Sequence, residues 1–387
     1  MTMKLTTTVA FAAGMIAAQA GADTIKVGVI APFSGPFAIY GTLYQNAIDV
    51  YQAQHGTSAG GHDIEFIYKD VGGPNPDQSR SLAQELLIKD KVDYLAGFTF
   101  TPNALAVAPA IEQTQTPTVI FNAATSAINA QSDYYLRTSY TLWQVSAPLA
   151  DWAYDQGIKT AITTVTDYGP GIDAENAFKA AFEAKGGTVL ESLRMPLSTT
   201  DFTPFLQRVK DRAPEAVFTF LPGGPPTFTY TKTYNENGLR DAGIKFLGTA
   251  ETEESNLQGL GDMAIGLTTA YHYSAAHDSQ MNRDFLAKLE ELHPGAVANW
   301  ASVGAYDGVH LIYHMVEVAG ADGPKAVESA LGLEWESPRG PLKMDPETRT
   351  VVQNVYLREV ARNAETGLLE NAETGVIATV GDLGWGK

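Results

Sequence analysis

Short apolar runs rich in β-branched residues alternate along the chain with longer segments whose apolar residues recur at helical spacing. The first run, residues 25–30, is followed by a loop punctuated by glycine and proline, and then by Leu43, Ala47 and Val50 on one face of a predicted helix. This alternation is typical of parallel sheets covered by helices on both faces. Further strands are predicted at 64–69, 92–98, 117–121, 160–166, 188–194, 216–221 and 245–248, and further helices at 145–154, 171–184, 202–212, 227–237, 280–293 and 299–319.

Proline near the first helical position marks two helix starts. The pair Asn75-Pro76 predicts a capped helix that continues to about Asp90. The pair Thr101-Pro102 predicts that Thr101 caps the following helix. Both starts come directly after predicted strands, as a strand–loop–helix series requires.

Two strand–helix series of similar length predict two similar lobes. The change from one to the other is predicted near 137–143, in an extended segment before a new helix. Near the end of the chain, strands at 340–344 and 351–359 are predicted to form a hairpin. The repeat Asn-Ala-Glu-Thr-Gly at 363–367 and 371–375 predicts a pair of turns.

The composition predicts a folded globular protein and excludes several classes of function. Of 387 residues, 44% are hydrophobic and 18% are charged, which gives ample material for a large core. The formal net charge of −18 repels a phosphate backbone or an anionic bilayer, so nucleic-acid binding is not expected. The absence of cysteine excludes disulfides, thiol catalysis, thiolate zinc sites and a lipidated N-terminal cysteine.

The first 22 residues have the layout of a secretory signal. Lys4 precedes an uncharged run from Leu5 to Ala20, and two small-x-small sites follow, of which cleavage before Asp23 is favoured. An N-terminal membrane anchor is the alternative, but the apolar run is short and Gly14 interrupts it. The prediction is therefore a periplasmic protein, exported by a cleavable signal peptide and not a lipoprotein.

The loops at the carboxyl ends of the predicted strands are the expected place for a ligand. They are rich in hydroxyls and aromatic rings, which suits a small ligand with one anionic group and an apolar body. Taken singly, each of these residues can instead be a helix cap or a buried loop aromatic. They include Ser34, Tyr40, Phe98, Thr99, Phe100, Thr101, Phe121, Thr125, Ser126 and Tyr168.

Seven segments, in order, carry a specific resemblance to a known family. They begin with Asp23-Thr-Ile-Lys-Val-Gly-Val-Ile-Ala-Pro-Phe-Ser-Gly-Pro-Phe-Ala-Ile-Tyr-Gly41 and continue with Ala96-Gly-Phe-Thr, Ala123-Ala-Thr-Ser126, Thr166-Asp-Tyr-Gly-Pro-Gly171, Thr200-Asp-Phe-Thr203, Gly304-Ala-Tyr-Asp-Gly308 and Gly340-Pro-Leu-Lys-Met-Asp345. The sequence resembles the leucine/isoleucine/valine-binding family of periplasmic substrate-binding proteins of ABC importers.

The resemblance implies the two-lobed α/β fold of type I periplasmic binding proteins, the Venus flytrap, in which each lobe is a mainly parallel sheet with helices on both faces. Residues 23–141 and 275–348 would form the N-terminal lobe. Residues 142–274 and 349–387 would form the C-terminal lobe. The lobes would close over the ligand, and a membrane permease would recognise the closed form.

The resemblance also implies roles for individual residues. Thr101 would hold the ligand carboxylate through its hydroxyl and amide, and Ala123 and Thr125 would add a neighbouring amide and hydroxyl. Tyr40 would line the first lobe, and Tyr168 would close down from the second.

One departure from the family pattern bears on the ligand. The amino-acid binders place a glutamate near the strand exit at 248 to pair with the ligand ammonium, and this chain has Ala250 there. Glu251 is a possible substitute, although neighbouring strand residues point to opposite faces. Pro222 stands where those binders often have a tyrosine. Together with Phe98 and Phe100, these departures resemble the subgroup that binds aromatic carboxylates such as benzoate-like and cinnamate-like acids, with an amino acid as the alternative ligand.

The expected partners are a small carboxylate ligand and the ABC permease subunits of the inner membrane, with the protein itself a monomer that needs no cofactor. A periplasmic ligand-sensing receptor of the same fold is the alternative function. An enzyme is disfavoured because the chain lacks G-x-S-x-G, H-E-x-x-H and P-loop motifs and has no G-x-G-x-x-G after the first strand.

Two clusters of polar residues are interpreted as solvated surface. His310, His314 and Glu317 share a helix face at the spacing of metal ligands, but a solvated polar face is favoured. The acids at 251, 253 and 254 lie within four residues on a loop and are likewise expected to be solvated. No metal site is predicted.

Overall fold

The computed structural model describes residues 23–387, so the predicted signal peptide at 1–22 lies outside the described residues. Within that part of the chain the strands are β1 (Thr24–Ala31), β2 (Ser58–Ala59), β3 (His62–Asp70), β4 (Tyr94–Gly97), β5 (Thr118–Ile120), β6 (Tyr135–Arg137), β7 (Thr160–Thr166), β8 (Thr188–Met195), β9 (Ala216–Phe220), β10 (Lys245–Gly248), β11 (Thr268–Tyr271), β12 (Glu334–Ser337), β13 (Gly340–Met344), β14 (Val351–Arg362) and β15 (Leu369–Val380).

Helices follow most of the strands, in the order that the sequence predicts. Asn75 caps the second helix by accepting a hydrogen bond from the Gln78 amide at 3.1 Å, and a π-helical segment extends this helix to Asp90. The helices are α1 (Ala38–His55), α2 (Pro76–Gln84), α3 (Thr101–Thr114), α4 (Leu142–Asp155), α5 (Gly169–Ala184), α6 (Thr203–Arg212), α7 (Pro225–Glu236), α8 (Glu254–Leu260), α9 (Gln280–Leu292), α10 (Trp300–Ala319) and α11 (Gly323–Ala330).

Two sheets form the cores of two lobes, as predicted. The first has the order β2-β3-β1-β4-β5-β6 and is parallel except at the short edge strand β2. The second is parallel through β8-β7-β9-β10-β11. Beyond β11 it continues with the antiparallel strands β14 and β15, which the final segment of the chain contributes.

The C-terminal segment shows one correct and one wrong prediction. The hairpin at 340–344 and 351–359 is confirmed, since Lys343 pairs with Val352 in an antiparallel register. The first copy of the repeat forms a turn, in which the Gly367 amide donates to the Asn363 carbonyl at 2.9 Å. The second copy, at 371–375, is not a turn, because pairing with β14 draws it into β15.

A buried polar network ties together the segments that run between the lobes. The Arg339 guanidinium pairs with Asp307 at 2.8 Å and donates to the Gln353 side chain at 2.7 Å. The side-chain amide of Gln353 in turn donates to the Ser139 carbonyl at 2.8 Å. The side-chain amide of Gln144 donates to the Val351 carbonyl at 2.8 Å. These bonds join the segments that follow β6 and β12 to α4, α10 and β14.

Candidate ligand-binding site

A cavity of about 380 Å³ lies between the lobes, at the carboxyl ends of the strands where the sequence predicts a ligand site. No charged side chain belongs to the set that lines it. The lining residues are Tyr40, Thr99, Phe100, Thr101, Asn122, Ala124, Tyr140, Tyr168, Pro170, Phe220, Leu221, Pro222, Gly223, Ala250 and Trp300.

Aromatic rings from both lobes make most of the wall. Tyr40 meets Phe100 edge-on at a centroid distance of 6.3 Å in the first lobe, and Tyr168 stacks beside Phe220 at 6.3 Å in the second. The indole nitrogen of Trp300 donates to the Asn122 side chain at 3.1 Å, which fixes the ring at the start of α10. These rings make the wall largely apolar and aromatic.

Two threonine hydroxyls and the N-terminus of α3 lie together at one end of the cavity, which we call the anion end. Thr101 is the first residue of α3, and its hydroxyl bonds the Thr125 hydroxyl at 2.9 Å instead of capping the helix. The cap predicted for Thr101 is therefore wrong, because Phe100 occupies the N-cap position without a side-chain bond. In residues 23–387 no group accepts a hydrogen bond from the Thr101 amide. A free amide at a helix N-terminus favours a negative charge.

A second helix N-terminus reaches the same end from the opposite lobe. Helix α5 begins at Gly169, after Tyr168 in an extended N-cap conformation without a side-chain bond. A Cβ on Gly169 would lie 3.2 Å from the Thr125 hydroxyl and 3.5 Å from the Thr101 methyl group. The lobes also touch beside this point, where the Ser126 amide donates to the Asp173 carboxylate at 3.0 Å. Two helix N-termini and two hydroxyls thus lie close together at this end of the cavity.

Five of the nine residues proposed from the sequence line the cavity, namely Tyr40, Phe100, Thr101, Tyr168 and Pro222. Thr125 stands directly behind Thr101. Their contacts with a ligand remain a prediction. Ala250 also lines the wall, so no carboxylate occupies the place where the amino-acid binders have theirs.

Two of the nine are turned away from the cavity by the local backbone. Phe98 has a positive φ of 61°, and its fully buried ring packs in the core of the first lobe instead of on the wall. The Ala123 amide donates to the Phe98 carbonyl at 2.9 Å, so it is not available to a ligand. The neighbouring Ala124 lines the cavity in its place.

Glu251 binds backbone amides and does not line the cavity, so its predicted contact with the ligand is wrong. Its two carboxylate oxygens accept hydrogen bonds from the Leu221 amide at 2.9 Å and the Thr249 amide at 2.6 Å. Burial raises its pKa to about 7 against the effect of these bonds. The expectation that the acids at 251, 253 and 254 are solvated is also wrong, since Glu251 and Glu253 are buried.

The cavity includes residues that the sequence reasoning missed. Tyr140 belongs to the segment between β6 and α4, and Phe220 ends β9 at a predicted strand exit. Trp300 comes from α10, whose chain returns from the second lobe. Phe220 begins one of the strand-exit loops in which a ligand was expected, at 220–224, although it was not named as a contact; Tyr140 and Trp300 lie outside those loops.

Helix α10 does not present the solvated polar face that was expected. His310 bonds the Tyr51 hydroxyl at 3.2 Å and stacks on Trp335, and burial lowers its pKa to about 4. His314 bonds the Ser329 carbonyl at 3.0 Å, which leaves only Glu317 exposed. Across the described residues, no group of three or more histidine, aspartate or glutamate side chains is placed to hold a metal ion. No helix within 23–387 is both long and apolar enough to cross a membrane.

Comparisons with known proteins agree with this architecture. The family model described as "Periplasmic binding protein" matches residues 24–365. The chain is 50% identical over 374 residues to Leu/Ile/Val-binding protein homolog 6 of Brucella abortus (strain 2308), covering 96% of both chains.

Two crystal structures of solute-binding proteins of ABC transporters are similar over 94% of this chain and 99% of theirs. One is from Rhodopseudomonas palustris HaA2, in complex with p-hydroxybenzoic acid, at 48% identity and a TM-score of 0.91. The other is from Rhodopseudomonas palustris BisB5, in complex with 3,4-dihydroxybenzoic acid, at 43% identity and a TM-score of 0.89. With its two-lobed fold and its cleft for a small ligand, this chain belongs to the periplasmic binding protein family of solute-binding proteins.

Proposed function

We propose that the protein captures a benzoate-like aromatic carboxylate and delivers it to an ABC permease in the inner membrane. The observation that carries this proposal is the cavity itself, in which aromatic walls surround one anion-binding end. Ala250 stands on this wall where the amino-acid binders have a glutamate for the ligand ammonium, and leaving a charge buried and unpaired is costly. The aromatic acids bound by the two Rhodopseudomonas palustris proteins support the same ligand class.

The mechanism that follows is ligand-dependent closure of the lobes. A carboxylate at the end lined by Thr101 and Gly169 contacts both lobes at once, so binding favours the closed form. Moving a population from 1:99 to 99:1 requires about 5.5 kcal/mol of differential binding. Several charge-assisted hydrogen bonds to amides and hydroxyls, with a ring packed between Phe100 and Tyr168, are sufficient for this.

The division of the chain into lobes is part of the proposal. Residues 23–141 with 275–348 form one moving unit, and residues 142–274 with 349–387 form the other. The buried network around Arg339 and Gln353 then lies at the hinge. We further propose that the protein is a non-catalytic periplasmic monomer, exported by the segment at 1–22.

Isothermal titration calorimetry tests the proposal. The protein is unfolded, dialysed free of ligand, refolded and titrated with benzoate, 4-hydroxybenzoate and leucine. The aromatic acids are expected to bind and leucine is not. Thr101→Val removes the hydroxyl at the anion end and is expected to weaken aromatic-acid binding about tenfold. Thr114→Val, on the exposed end of the same helix, serves as the control and should bind like the wild type. Binding of leucine alone contradicts the proposal.

A further inference from the structure

We propose that Glu253 recognises a hydroxyl group on the aromatic ring, so that the protein selects hydroxylated benzoates over unsubstituted ones. This inference rests on the proposed function, because it assigns the far end of the same ligand. The sequence offered no reason to choose Glu253 from the three acids on its loop.

One oxygen of the Glu253 carboxylate is fully engaged and the other is free. The side chain is 3% exposed. Its Oε1 atom accepts hydrogen bonds from the Gly224 amide at 2.7 Å, the Asn256 amide at 2.8 Å and the Thr227 hydroxyl at 3.4 Å. Among the described residues no donor bonds its Oε2 atom. The three bonds to Oε1 fix the direction in which Oε2 points.

The free oxygen lies next to Gly223, a residue of the cavity wall. A Cβ on Gly223 would lie 3.3 Å from the Glu253 Oε2 atom, 2.5 Å from the Tyr40 hydroxyl and 3.1 Å from the Trp300 ring. Gly223, Tyr40 and Trp300 all line the cavity. A side chain at position 223 would clash here, and glycine lets the Glu253 carboxylate oxygen and the Tyr40 hydroxyl come close to the same point on the wall.

This polar group is separate from the anion end, where Gly169 faces Thr101 and Thr125. A ligand that binds both must carry a carboxylate on one side of an apolar ring and a hydrogen-bond donor on the other. A ring hydroxyl is a neutral donor of this kind, and its bond to a carboxylate is charge-assisted.

The electrostatics of Glu253 agree with a donor supplied by the ligand. Burial raises its pKa to about 7 although three neutral donors stabilise the carboxylate. The nearby carboxylate also helps to raise the pKa of Tyr40, after the larger effect of burial. A carboxylate oxygen that no protein donor satisfies gains a hydrogen bond from a ligand hydroxyl, so a ligand with that group binds more tightly than one that lacks it.

Titrations with a ligand series test this inference. Wild-type protein, Glu253→Gln and the control Glu236→Gln are titrated with 4-hydroxybenzoate, benzoate and 4-fluorobenzoate. We expect the wild type and the control to bind 4-hydroxybenzoate at least tenfold more tightly than 4-fluorobenzoate. In Glu253→Gln this preference should fall to about twofold while benzoate binding is retained.

The wild-type ligand series carries the test even if Glu253→Gln does not fold. Equal affinities for 4-hydroxybenzoate and 4-fluorobenzoate overturn the inference and leave the proposed function intact. A preference that survives in folded Glu253→Gln overturns it as well. Failure of the wild type to bind any aromatic acid refutes the proposed function. Tight leucine binding that is lost in Glu253→Gln refutes both, because Glu253 would then pair with an ammonium.

Discussion

The Asp173 carboxyl, which accepts a hydrogen bond from the Ser126 amide, makes the stability of the folded protein depend on pH. Asp173, on α5 of the second lobe, accepts the Ser126 amide of the first lobe at 3.0 Å. Burial raises its pKa to about 6, against the Ser126 bond, and the neighbouring Asp382 raises it further while Arg137 lowers it. The Asp173 carboxyl is therefore protonated more readily in the folded protein than in the unfolded chain.

The size and sign of the effect follow from that pKa. A rise from 3.8 to about 6 corresponds, at about 1.36 kcal/mol per pKa unit, to about 3 kcal/mol. Because the side chain is only partly buried, solvent screening lowers the expected effect to about 1–3 kcal/mol. A raised carboxyl pKa contributes stability that is fully present below about pH 4 and is lost as the pH rises through about 6.

Asp173→Asn tests this reasoning, since an amide oxygen still accepts the Ser126 bond but carries no charge. In urea unfolding we expect the variant to match the wild type near pH 4 and to exceed its free energy of unfolding by about 1–3 kcal/mol at pH 7.5. Asp241→Asn, an exposed position in the same lobe, is the control and should change nothing. A variant less stable than the wild type at pH 7.5, or a difference that is independent of pH, would refute the reasoning.

Three further substitutions probe the proposed hinge, the cavity wall and the packing beneath α10. Arg339→Met leaves Asp307 buried without its partner and should lower the free energy of urea unfolding by about 3–5 kcal/mol. The control Arg362→Met breaks the exposed pair with Asp262 and should lower it by less than about 1 kcal/mol. Ala250→Glu places a carboxylate on the apolar wall and should weaken benzoate binding at least tenfold by calorimetry; unchanged affinity would contradict the assigned wall. Gly304→Ala drives a methyl group into the Phe121 carbonyl beneath α10 and should cost about 1–3 kcal/mol in thermal unfolding, while unchanged stability would refute that packing.

Most of the architecture was predictable because the periodicity of the chain agrees with its tertiary structure. The strands at 160–166 and 245–248 and the helices α9 and α10 were located from periodicity to within one or two residues. Strand β15 was missed because its second repeat copy, rich in asparagine and glycine, has the local signal of a turn. Pairing with β14 overrides that local signal. A pattern within the repeat itself does not show that another strand will pair with it.

The site was predictable only in its residues at strand ends. Tyr40, Thr101 and Tyr168 lie in loops that follow parallel strands, and the geometry of such sheets brings those loops together. The prediction for Phe98 was wrong because its backbone has a positive φ, which turns the side chain away from the cavity and which no sequence pattern shows. Trp300 was missed because it reaches the cavity from a helix outside the strand–helix series.

The most direct test of the central claim is a crystal structure of the protein with 4-hydroxybenzoate. We predict the ligand in the cavity between the lobes, with its carboxylate bonded to the Thr101 amide and close to Gly169, and its ring between Phe100 and Tyr168. Density for the ligand outside this cavity, or a carboxylate turned away from both helix N-termini, would contradict the account.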